Sequence, residues 1–76
     1  MSGEVQIYVK VSLAGGVSAW RPASAMAHPG GVYEIVSVGA AAGETPEFGV
    51  GDRVACRPYD LTDHDVVLVA HQRVGP

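Results

Sequence analysis

Residues 5–13 read Val-Gln-Ile-Tyr-Val-Lys-Val-Ser-Leu, an almost unbroken two-residue alternation. Val5, Ile7, Val9, Val11 and Leu13 fall on one face, and Gln6, Tyr8, Lys10 and Ser12 on the other. That period belongs to a strand with one dry side and one wet side. Branched Val and Ile fit such a pleated surface at little cost in side-chain freedom. The chain therefore has to build a sheet whose inner face is closed off from water.

How it can do so is limited by size. A chain of 76 residues forms one domain and hides only about 60% of its unfolded surface. Valine fills 13 positions and leucine three, a bias toward sheet over helix. Ten glycines and five prolines imply frequent turns between short strands. Four further strands follow at residues 17–26, 32–38, 53–59 and 66–74. Ala14-Gly15-Gly16 and His28-Pro29-Gly30-Gly31 read as turns. Pro22 cannot donate to a ladder, so the second strand is expected at an edge or sharply bent. Residues 39–47 have no periodicity and are expected to form the longest and most mobile loop.

Five short strands without a helix to cover a flat sheet point to closure of the sheet on itself. The expected fold is all-β, a single domain over residues 1–76, as a five-stranded SH3-like barrel, with an OB-like barrel as the alternative. Its expected core is Val5, Ile7, Val9, Val11, Val36, Val54 and Leu68.

A net charge of −3 argues against a protein that coats nucleic acid, because counterion release needs many Lys and Arg. Cys56 is the single cysteine, so no intramolecular disulfide forms. With no signal-like start or long apolar run, the expected location is the reducing cytoplasm. Cys56 shares parity with Val54 and is expected to pack inward as a small hydrophobe. A nucleophilic role would need a neighbouring His or a positive helix end. His64 stands among Asp60, Asp63 and Asp65, but calcium spacing is missing, and such turns usually bond their own backbone. No metal, cofactor or catalytic residue is expected.

The candidate partner surface is Tyr8, Lys10, Trp20, Arg21, Arg53 and Arg57. Trp20 reads first as the largest side chain of a tiny core. The alternative is an exposed aromatic beside a guanidinium, the composition of binding hot spots. Trp20 and Arg21, adjacent on a strand, point to opposite faces unless Pro22 distorts the backbone. Arg53 and Arg57 share a face and are expected to be solvated, paired with Glu34 or Glu47. Joined with Lys10 and Tyr8 they could instead form a small anion- or nucleic-acid-facing patch.

Several fragments span most of the chain: Val5, Ile7, Tyr8, Val9 and Lys10; Trp20-Arg21-Pro22; Gly31-Val32-Tyr33 with Ile35; Gly51-Asp52 with Val54 and Cys56. Together they resemble a family of short bacterial proteins without assigned activity. The chain departs from that pattern at Glu47-Phe48, where the family often shows Trp-Glu-Phe, and at Ala55, where it commonly has Arg. Gln6-Ile7-Tyr8 is similar to the pore-lining word of type II dihydrofolate reductases, which are small SH3-like barrels acting as tetramers. Ala27-His28-Pro29-Gly30 and the Phe48-Gly49 word also resemble that family, but here the three words stand in reverse order. This second resemblance implies an oligomeric pore enzyme.

The residues themselves favour a non-enzymatic protein-interaction module. Its expected partners are a second copy and another protein, without nucleic acid or membrane. The dimer is expected through an open edge on strand one or on the last strand.

Overall fold

The computed structural model describes residues 3–62 and 64–75. Six strands form one sheet: β1 (Glu4–Ser12), β2 (Ser18–His28), β3 (Val32–Val38), β4 (Thr45–Pro46), β5 (Arg53–Thr62) and β6 (Asp65–Arg73). Five of them close a ring in the order β1-β2-β3-β5-β6, and β6 returns to β1. β4 is a two-residue strip laid against β1 at Val11 and Ser12. The chain is thus an all-β small barrel. Its strands follow one another around the ring in chain order, without the Greek-key connection of an OB barrel. No helix among the described residues is long and apolar enough to cross a membrane.

Consecutive strands run antiparallel, so the first and fifth members of the ring point the same way. The closing pair is accordingly parallel, and a single register pair, Tyr8 with Val69, carries it. β1 is covered on both sides, by β2 along residues 4–12 and by β6 and β4 opposite. The expected open edge on strand one is therefore absent. The first turn follows the sequence closely. Gly15 and Gly16 hold φ of 83° and 79°, values that side chains disfavour and glycine accepts.

Ile7, Val9 and Val11 are fully buried, as the alternation of β1 requires. Ile7 and Val9 meet Ala23 and Ala25 of β2, Ile35 of β3, Val54 of β5 and Ala70 of β6 in one interior cluster. Leu68 and Cys56 pack against it and are only partly covered. Val5, at the start of β1, is exposed, although its register partner Ala25 is fully buried.

Val36 is the clearest correction. Ser24 pairs with Ser37 and Ala25 with Ile35, so Val36 is an extra residue in β3. Such a bulge reverses the alternation beyond it. Tyr33, Ile35 and Val38 consequently face the core, while Val36 stays 37% exposed.

β2 is not an edge, since β1 and β3 flank it. It tolerates Pro22 because pairing with β3 begins only at Ala23. The Pro22 carbonyl accepts from the Gly39 amide at 2.8 Å, so its missing N–H faces the place where the β3 ladder ends. A Cβ on Gly39 would lie 3.0 Å from that carbonyl oxygen, which explains glycine at the close approach.

Ile35→Ala should cost about 2–5 kcal/mol, while Val36→Thr should stay within about 0.5 kcal/mol. Urea unfolding checks both. Equal losses at the two positions would contradict the bulge.

Candidate functional site

The segment 39–47 is tied down rather than loose. The Glu44 carboxylate takes Arg21 in a two-pronged grip, with Nε at 3.0 Å from Oε1 and the terminal nitrogen at 2.7 Å from Oε2. It also accepts the Ala41 amide at 2.9 Å. Arg21 lies opposite Val9 in the β1–β2 register, on the inner face of β2 toward one end of the barrel. A charge at that position needs a partner, and Glu44, only 9% exposed, supplies it. The Glu47 amide then bonds the Lys10 carbonyl at 2.8 Å, and Phe48 enters the core at 7% exposed. Arg73 caps the Phe48 ring, 5.8 Å from its centroid, while bonding Asp52 at 3.0 Å.

On the outer face the order of strands is β2-β1-β6-β5. Trp20 of β2 and Tyr59 of β5 reach over the two strands between them, and their rings meet at 5.2 Å, inclined by 49°. Lys10 of β1 places its ammonium 5.4 Å from the Trp20 centroid, a cation–π contact. Beneath these rings is a groove of about 460 Å³, with Arg57 and His71 also on its walls. Val69 is nearly fully buried yet lies outside the interior cluster, because it forms the floor of this groove. His71 reaches it through a second bulge: Ala55 pairs with Gln72 and Cys56 with Ala70, leaving His71 as the extra residue. Bulges commonly re-aim a side chain in this way.

The charges divide sharply. Arg21 pairs with Glu44, Arg73 with Asp52, and Arg53 approaches Glu34 at 4.0 Å. Among the described residues, Lys10 and Arg57 have no carboxylate in ion-pair range, and both line the groove. Among the described residues, Glu47 is the one carboxylate on its wall.

Of the six candidate residues, Lys10, Trp20 and Arg57 come together here. Arg21 is held by Glu44 on the opposite face, and Arg53 stands beside Glu34, as its expected pairing had it. Tyr8 is half-buried on the outer face, its hydroxyl taking a bond from Gln6 Nε2 at 3.0 Å. Trp20 belongs to the surface aromatic pair and not to the core cluster. Tyr59 and His71 are additions to the set. Tyr59 was accessible through its shared parity with Arg57, whereas the bulge conceals His71 from any pattern of period two.

The other possible chemistry is quiet. Burial pushes the Cys56 thiol up to about 11, away from the thiolate that nucleophiles and metal ligands use. Around His64, the Thr62 hydroxyl donates to Asp65 at 3.3 Å and accepts from the His64 amide at 3.4 Å. No group of three metal-capable side chains stands together among the described residues. Asp63 lies outside them. No family model, curated protein or solved structure matches the chain.

Two carboxyls carry a pH dependence. Glu44 is held below its ordinary 4.5, first by the Arg21 bond and then by the Ala41 amide. Asp52 is held below its ordinary 3.8, first by the Gly49 amide and then by Arg73. Groups depressed in the folded state add stability above their unfolded values and lose it as pH falls through the folded ones. Urea midpoints should therefore be level above about pH 5 and decline on acidification. Glu44→Gln should flatten part of that decline, and an unaltered acid profile in this variant would contradict the assignment.

Proposed function

We propose that the protein is a non-catalytic interaction module whose outer groove receives an acidic segment of a polypeptide partner. One observation carries this reading. Among the described residues, the two cations without a carboxylate in range, Lys10 and Arg57, converge on the same groove as Trp20 and Tyr59. Trp, Tyr and Arg dominate binding hot spots because they bring large area and directed polarity together. Unpaired cations beside them select carboxylates and raise the rate of encounter. The site resembles a single-strand nucleic-acid platform in its aromatic content. The net charge of −3 acts on any anion, but it opposes a long phosphate chain that runs over the whole surface more than a short acidic peptide confined to the groove.

Trp20 is the only tryptophan, so its fluorescence reports the groove directly. Titration with a short peptide of alternating Asp and Leu should change the emission saturably, with binding weakened by added salt. Arg57→Ala should reduce affinity about tenfold, equivalent to about 1.4 kcal/mol, and a Lys-Leu peptide should have no effect. Tighter binding of a single-stranded oligonucleotide than of the acidic peptide would overturn this reading, as would the absence of any response.

A further inference from the structure

We infer that the acidic segment is supplied by a second copy of this chain, whose β5–β6 tip enters the groove as this chain's tip enters the other's. The inference rests on the groove being a docking site for carboxylates, and it names the occupant.

β5 pairs with β3 only through Arg53, Val54 and Ala55, and the β6–β1 ladder has a single register pair, at Val69. Beyond these points β5 and β6 pair only with each other as a two-stranded ribbon, from Arg57–Val69 to Thr62–Asp65, with Leu68 still against the core and Tyr59 against Trp20. A ribbon of two strands is marginal in water unless one face is covered. Its register sets out that face in order. Arg57 and Val69 come first, Tyr59 and Val67 next, and Thr62 and Asp65 at the tip, with Leu61 the extra residue of a bulge. Val69, Val67 and Asp65 alternate along β6 and so share a side. The face runs from a free cation through an aromatic and a valine to a carboxylate. The Thr62 hydroxyl, 3.3 Å from Asp65 Oδ2, holds that carboxylate on the tip.

Such a sequence of groups is complementary to itself when turned end for end. A two-fold axis through the Tyr59–Val67 pair sets each Arg57 against the other copy's Asp65 and packs the apolar middles together. Val69 to Asp65 spans roughly 13 Å at 3.3 Å per residue, so both charge contacts form in one register. Lys10, on the facing wall of the groove, adds a second cation for the incoming tip. In the sequence, residues 60–65 carry three of the chain's eight acidic residues, which makes them its most acidic stretch. Interfaces of this kind are isologous, the commonest closed symmetry among oligomers. Tyr59, 41% exposed in the single chain, becomes covered.

Sedimentation equilibrium on the full chain tests this through a charge exchange. Wild type should sediment at twice 7.9 kDa at micromolar concentration and dissociate as salt is raised. Arg57→Glu alone sets acid against acid twice, and Asp65→Lys alone sets base against base twice, so each variant should be monomeric while retaining a wild-type circular dichroism spectrum. Mixed in equal amounts, the two variants should form a heterodimer, because both contacts are then complementary. That rescue excludes misfolding as the cause of dissociation. A monomeric wild type, dimers in both single variants, or a mixture that stays monomeric would each overturn the inference. A monomeric wild type that still binds the Asp-Leu peptide through Trp20 would remove the second copy and keep the groove; loss of both would remove the groove as well.

Discussion

The seam between β1 and β6 is the constraint on which the molecule turns. Five antiparallel neighbours cannot close without one parallel pair, and here that pair is bridged at a single position, Tyr8 with Val69. Parallel pairing is the less stable per residue, so so short a seam needs support from side chains. Inside, Ile7 and Val9 from β1 share a cluster with Ala70 of β6. Outside, Trp20 and Tyr59 meet across the two seam strands and roof over Val69. The aromatic pair that straps the seam is also the pair that builds the groove. Barrel closure and groove thus draw on the same side chains.

A second constraint comes from how little apolar volume the chain has. Among the described residues, ten hydrophobic ones are buried, three of them alanines. Phe48 is the one aromatic among them, and its delivery depends on residues 39–47 being held against β1. The Arg21–Glu44 pair and the strip at Thr45–Pro46 do this. Removing either partner of this part-covered ion pair takes away the two-pronged grip that fixes Glu44 to β2, so the two residues act as a unit. Arg21 is accordingly spent on architecture, whereas Arg57 and Lys10, on the groove, have no carboxylate in ion-pair range among the described residues.

Where the sequence was legible, the period ran unbroken. From Ile7 to Val11 every position of β1 lies on the expected side, and Cys56 and Val54 share the inner side of β5 as their spacing requires. The failures sit at interruptions of that period. Val36 is displaced by a bulge opposite Ser24 and Ala25, which no alternation reveals, and Val5 is exposed at the start of the β1 ladder although it keeps the inward parity. Pro22 signals an unpaired amide, but it does not say that the unpaired side is where β3 happens to stop. Glu44 and Phe48 stand in a stretch without periodicity, where long-range contacts with Arg21 and the core decide the path. Trp20 illustrates the difficulty most plainly. Size and hydrophobicity favour the interior, yet its register partner is Lys10, and pairing places both on the outer face. The cationic groove needs Tyr59 from two strands away, so it appears only once the ring is closed.

Closure and groove therefore stand or fall together, and the contact between Trp20 and Tyr59 is where both can be read. The most direct measurement is a nuclear Overhauser spectrum of the aromatic protons. Cross-peaks between the Trp20 indole and the Tyr59 ring, together with contacts from both rings to the Val69 methyls, are the predicted result. A spectrum showing the β1–β2 and β5–β6 hairpins intact but no Trp20–Tyr59 or Tyr8–Val69 contacts would describe an open sheet, with neither barrel nor groove.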